Sequence, residues 1–142
     1  MFQQLEQHKF ATQEKYIYEA SSQYVNIIKE VLNLNDVSNC EVIEGCVGPG
    51  LDIYGDKNSP VNKIEIQDLP EHDVLEMDCE GAEYEIIREL KKVDNKPRAI
   101  IAEIHPNLSG IKGEKLIDNL RSLGYQICCR FSNKGKSLSK KD

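Results

Sequence analysis

Carboxylates and one histidine stand where apolar segments of this chain stop. Glu19 follows Lys15-Tyr16-Ile17-Tyr18, Asp78 and Glu80 follow Val74-Leu75-Glu76-Met77, and Glu103 and His105 follow Ala99-Ile100-Ile101-Ala102. In an open parallel sheet, ligands bind beyond the carboxyl ends of the strands, so chemistry would gather at these positions. A carboxylate placed like Glu19 can accept both hydroxyl hydrogens of a ribose; the alternative is an exposed strand-end glutamate. Asp78 and Glu80 are two apart and point the same way if the strand persists. Glu83 follows near a helix N-terminus, where the helix dipole favours a carboxylate. Three such groups converging could raise the pKa of one and make a base, or could share a cation. The plainer alternative is that Glu80 and Glu83 cap and charge the first helical turn. An aspartate ending an apolar strand needs partners, which favours a functional Asp78. His105, before Pro106, suits general-base work near neutral pH, or else serves as a structural hydrogen-bonder. His8 and His72 lie in polar stretches and read as surface residues. No H-E-x-x-H, C-x-x-C, phosphate-loop or G-x-S-x-G motif occurs, which weighs against a zinc protease, a nucleotide triphosphatase of that kind or a serine hydrolase.

The elements that would position these groups alternate along the chain. Lys15–Ala20 reads as a strand, rich in aromatic and β-branched residues. Ser21 and Ser22 are good helix N-caps, and Val25, Ile28, Val31 and Leu32 then recur at helical spacing until Asn33 and Asn35. Glu41–Val47 is a second strand, closed by Gly48-Pro49-Gly50. Leu51–Tyr54 and Val61–Ile66 are shorter strands around the turn at 55–60, forming a hairpin or an excursion. Asp73–Cys79 is the third main strand. Gly81-Ala82 opens a helix with Ala82, Ile86, Ile87 and Leu90 on one face and with Lys91 and Lys92 in its last turn. Ala99–Ile104 is a nearly continuous apolar run, as in a strand covered on both faces. Lys112–Leu123 is an amphipathic helix with Gly124 as its C′ residue, and Gln126–Phe131 is a last strand. The start, 1–14, is weakly patterned, and the polar tail, 132–142, reads as mobile. This order predicts an α/β fold with a mostly parallel sheet.

Length and charge set outer limits. The 142 residues allow one domain with one core, so 1–142 is expected to form a single unit. The formal charge of −6 argues against a phosphate-backbone binder and hence against nucleic acid as partner, though not against a small anion held by backbone amides. No apolar run approaches the roughly 20 residues of a membrane span, and no basic-then-apolar leader opens the chain. Five cysteines without a paired spacing read as reduced, mostly buried thiols of a cytoplasmic protein, not a disulfide or zinc framework.

The segment Asp73-Val74-Leu75-Glu76-Met77-Asp78-Cys79-Glu80-Gly81-Ala82-Glu83 resembles the signature of the FkbM-type S-adenosylmethionine-dependent methyltransferases, in which an apolar strand leads into Asp-x-Glu-Gly-x-Glu and a helix. Tyr16-Ile17-Tyr18-Glu19-Ala20-Ser21 is similar to the family's second strand and its acidic end. Asn33-Leu34-Asn35, Asn39 and Glu41 to Gly48 are similar to the helix exit and third strand. Ile66-Gln67-Asp68-Leu69 resembles the segment before the signature, and Ala102-Glu103-Ile104-His105 the fifth strand. Glu76 departs from the family, which usually has lysine there. Nothing before Tyr16 resembles the family's first strand and glycine-rich loop, so the chain looks N-terminally truncated, natively or as a fragment. Without a central first strand, interior sheet edges would lack partners: they close on each other, another chain fills the gap, or the domain is only marginally stable, and pairing of two copies through those edges is one form the second outcome takes.

The resemblance implies a Rossmann-like methyltransferase fold, with helices on both faces of the sheet. It implies methyl transfer from S-adenosylmethionine to a hydroxyl or amine of a small molecule or sugar, in-line at a sulfonium. It implies Glu19 on the cofactor ribose, Cys46 and Val47 beside the adenine, and Asp78 near both the cofactor and the reacting centre. Glu80 or His105 would assist proton removal, and no metal is assigned. Two other readings stand beside it: an inactive methyltransferase-like domain serving as an interaction module or remnant, and a nicotinamide-dependent nucleotide binder, which Glu19 also suits.

Overall fold

Alternating aromatic and β-branched residues favour an extended chain at Lys15–Glu19, which forms β1. The computed structural model describes residues 13–48 and 62–131. The expectations for 1–12, including His8, for Leu51–Tyr54 with the turn at 55–60, and for the tail 132–142 lie outside the described residues. The chain divides into two compact units, Met1–Glu65 and Ile66–Asp142, and each is described by itself.

In the first unit β1 leads into helix α1, Ser22–Leu34, and then to β2, Cys40–Glu44. β1 and β2 pair in parallel from Lys15 opposite Cys40 to Glu19 opposite Glu44. Ser21 occupies the N-cap position, but its hydroxyl makes no capping bond. The Glu19 carboxylate instead accepts the Ser21 amide at 2.8 Å, so the strand-end acid fixes the strand-to-helix turn. α1 buries Val25, while Ile28 and Leu32 are half-buried and Val31 is exposed. It closes in a Schellman arrangement: Val37 N–H donates to Leu32 O at 3.0 Å, Asp36 N–H to Asn33 O at 3.2 Å, and Asp36 takes the left-handed φ of 54°.

The second strand is not continuous over Glu41–Val47. It breaks at Gly45, and Cys46–Val47 forms β3, which pairs in parallel with β4, Lys63–Ile64. Ile64 therefore belongs to a parallel pair and not to an antiparallel hairpin. Gly45 lets the break happen: a Cβ there would stand 2.5 Å from Ile64 Cδ1 and 2.9 Å from Asn62 O.

The second unit opens with a 3-10 turn, Ile66–Asp68, and continues through β5, Val74–Met77, and helix α2, Glu83–Glu89, which tightens into a 3-10 turn, Leu90–Lys92. β6, Ala99–Ala102, pairs in parallel with β5. A one-turn helix α3, Pro106–Ser109, precedes α4, Gly113–Ser122. The predicted face Ala82, Ile86, Ile87 and Leu90 is buried, and α2 packs against α4, whose Leu116, Ile117 and Leu120 are buried. Gly124 is the C′ residue of α4 as its sequence predicts, with φ of 93°, and Tyr125 N–H donates to Leu120 O at 3.1 Å. Tyr125 then anchors the chain through a 2.6 Å hydrogen bond to Pro97 O.

Three expectations fail here. Gln126–Phe131 forms no strand; Phe131 alone makes an isolated bridge. Ala99–Ile104 is not covered on both faces, since Ile101 is 57% exposed. The cysteines are free but not mostly buried: Cys46 is buried, Cys40 and Cys79 are half-buried, and Cys128 and Cys129 are exposed. The architecture is thus mixed α/β, with three two-stranded sheets among the described residues, all parallel. No described helix is long and apolar enough to cross a membrane.

Gly45→Ala is expected to lower stability by about 1–3 kcal/mol, the usual cost of forcing atoms into a packed site. The midpoint of urea unfolding measures it.

Candidate functional site

The second unit assembles a site where β5 ends. The ladder closes as Glu103 N–H donates to Met77 O at 2.9 Å, so Asp78 and Glu103 leave the two strands side by side. The chain then turns through Cys79-Glu80-Gly81-Ala82, with Ala82 N–H donating to Cys79 O at 3.1 Å. Both central residues have positive φ, 50° at Glu80 and 107° at Gly81. Glycine suits the second position twice over. Its conformation disfavours a side chain, and a Cβ there would meet Leu108 Cβ and Ser109 N, each at 3.1 Å. Glu80 therefore does not continue the strand beside Asp78, and it is exposed on the turn.

Glu83, the first residue of α2, is 1% exposed. Its Oε1 accepts three hydrogen bonds: from Cys79 N–H at 3.1 Å, from Gly81 N–H at 3.2 Å and from His105 Nδ1 at 3.0 Å. A buried charge is tolerated only when it is paired and hydrogen-bonded, and these donors supply both conditions. Burial by itself would raise the Glu83 pKa, but His105 and the backbone amides outweigh it and hold the carboxyl below its ordinary range. Glu83 is thus not the member of the acidic group whose pKa is raised. Glu83 also does more than charge a helical turn.

His105 sits at the N-cap position of α3, and its backbone carbonyl accepts Leu108 N–H and Ser109 N–H, each at 3.1 Å. Its imidazole bridges inside and outside. Nδ1 faces buried Glu83, while Nε2 lies 3.7 Å from Asp78 Oδ1 and 3.9 Å from Glu103 Oε1, both largely exposed groups. The hydrogen bond to Glu83 raises the His105 pKa despite partial burial, and the charges of Glu83, Glu80 and Asp78 add to the rise. Donor atoms of Asp78, Glu83 and His105 lie within 4.8 Å of one another, a spacing open to a cation. Glu83 Oε1 is already engaged there by three donors.

The other predicted residues belong to the first unit. Glu19 ends β1 half-buried, its carbonyl accepting Gly45 N–H at 2.9 Å. That bond sets the end of β1 beside the break that leads into buried Cys46 and half-buried Val47. An open groove lined by Lys29, Leu32, Val37 and Cys40 holds none of the candidate residues. His72 is not the surface residue its polar neighbourhood suggests. It is half-buried, with Nδ1 2.7 Å from Pro70 O.

The sequence brings Asp78, Glu80 and His105 forward but understates Glu83. The available signal was the last glutamate of Asp78-x-Glu80-Gly81-x-Glu83, whose side chain can reach back two and four residues to the turn amides.

The family model of the methyltransferase FkbM domain matches residues 6–127. No curated protein and no solved structure matches the chain. The match covers most of the sequence, so the chain belongs to the FkbM methyltransferase family.

Removing the Glu83 carboxylate takes an acceptor from the Cys79 and Gly81 amides and from the His105 imidazole, so Glu83→Ala is expected to cost on the order of 3 kcal/mol in chemical unfolding. The pair also sets a pH window. Glu83 is depressed, so its share of stability is present above the ordinary 4.5 and is lost as pH falls through the lowered value. His105 is raised, so its share is present below the ordinary 6.5 and is lost as pH rises through the raised value. The stability difference between the wild type and Glu83→Gln is therefore expected to be largest between pH 4.5 and 6.5. Urea midpoints across a pH series measure it.

Proposed function

We propose that this member of the FkbM methyltransferase family transfers a methyl group from S-adenosylmethionine to a hydroxyl or amine of a small molecule or sugar. The observation that carries the reading is the family match over residues 6–127, a span that includes Asp78, Glu80 and Glu83. Parallel pairing throughout the described strands supports a Rossmann-like methyltransferase fold.

The first unit's residues fit the adenosyl part of the donor. Glu19 offers carboxylate acceptors at the carboxyl end of a parallel strand, with one oxygen anchored by the Ser21 amide. On this reading it holds the ribose hydroxyls, and the Cys46–Val47 segment lies beside the base. The bound donor would supply an electrophilic methyl on a positively charged sulfur. The protein's part is then to align the acceptor and take its proton.

Asp78 and His105 suit that part. Asp78 is exposed at the strand end, where it can accept a hydrogen bond from the acceptor and favour a nearby cation. His105 turns Nε2 toward the same exposed carboxylates. Glu80, on its left-handed turn, contributes negative charge to His105. Proton removal is therefore assigned to His105 rather than to Glu80.

Calorimetric titration tests the donor reading with S-adenosylhomocysteine and NAD against the wild type and Glu19→Ala. Binding of S-adenosylhomocysteine is expected, weakened about tenfold or more by the substitution, as for the loss of a charged hydrogen-bond acceptor. No heat with either ligand points to an inactive interaction module. Heat with NAD alone points to a nicotinamide enzyme.

A further inference from the structure

The contact between Glu83 and His105 has the form of an orienting carboxylate behind a base. One ring nitrogen is held from inside by a buried acid, and the other faces outward. Glu83 is 1% exposed and its Oε1 is pinned by the Cys79 and Gly81 amides, so it cannot swing to follow the imidazole. The imidazole must take its orientation from the acid. His105 is further fixed by its N-cap place on α3, which packs against Gly81 of the same turn.

We infer that Glu83 is a positioning residue for proton removal: by accepting the Nδ1–H of His105 it fixes the tautomer and turns Nε2 to the open side of the site. The inference rests on the methyl-transfer reading above. In the step it serves, the acceptor oxygen or nitrogen forms its bond to the methyl carbon as the carbon–sulfur bond breaks. That bonding pair goes to sulfur, whose positive charge is thereby neutralised. The acceptor's proton passes to Nε2, the Nδ1 proton stays in place, and Glu83 faces the imidazolium that results. Solvent later takes the Nε2 proton. The groups facing this imidazole are Glu83 from α2, Asp78 and Glu80 from the turn after β5, and Glu103 from the end of β6. All are acidic, so each stabilises the protonated ring. Of these, Glu83 makes the hydrogen bond that selects which nitrogen is free.

Nitrogen-15 NMR of the full chain, with His105 assigned through a His105→Gln variant, reads tautomer and titration directly. In the wild type, neutral His105 is expected to carry its proton on Nδ1, with a midpoint above that of an ordinary histidine. In Glu83→Gln, whose amide oxygen can still accept the turn amides, the midpoint is expected to fall and the tautomer preference to weaken. Glu83→Asp is expected to restore part of both. A wild-type ring carrying its neutral proton on Nε2, or a titration unchanged in Glu83→Gln, overturns the inference; the first of these needs no variant to fold. Absence of any adenosyl-ligand heat with the NMR behaviour intact overturns the methyl-transfer reading and leaves the carboxylate–imidazole pair standing.

Discussion

A single carboxylate oxygen organises the second unit. Glu83 Oε1 gathers two backbone amides and an imidazole from segments separated by 22 residues in sequence. An ionised carboxylate buried this deeply would be costly without such partners, and each partner would be a stranded donor without it. The mutual dependence explains the local backbone. The turn must curl far enough to aim the Cys79 and Gly81 amides at one point, which needs positive φ at two successive residues. Glycine at position 81 makes that curl cheap and lets α3 approach. α3 in turn begins at His105, with Pro106 at its first helical position, where a missing amide proton costs nothing.

The first unit uses an acid for a related purpose at lower stakes. Glu19 accepts one amide, that of Ser21, at the junction of β1 and α1. It is half-buried and keeps contact with solvent, so the bond orients the group without desolvating it. In both units a strand-end or turn acid is fixed by main-chain donors of its own loop. Such fixing reduces the rotamer freedom a side chain loses when it binds a ligand.

Much of this was legible in the sequence, because the elements carry strong local signals. The apolar face of α2 and the glycine after α4 have one dominant periodicity or conformation each, and they occur as read. What was not legible depends on partners distant in sequence. Glu41–Val47 looks like one strand because Val42, Ile43 and Val47 favour extension on both sides of Gly45; only the close approach of Asn62 and Ile64 shows why the chain breaks there. Gln126–Phe131 has strand-like composition, yet composition supplies no neighbouring edge to pair with. The bond from His105 to Glu83 spans 22 residues, so no window of sequence reveals it. The reach of Glu83 to its own turn was readable in principle, and it competed with the simpler picture of an acid at a helix start.

The charge around His105 sets a tension that any base in this position must resolve. Facing Glu83, Asp78, Glu80 and Glu103, the ring holds a proton more firmly than an ordinary histidine. A firmer hold makes the neutral ring a stronger base, since proton-transfer efficiency follows basicity. It also leaves less of the ring neutral at a given pH, so gains in strength are offset by losses in availability. Burial works the other way on the ring and limits the rise. Any cation brought near Asp78 would offset part of the acidic field and lower the ring's proton affinity.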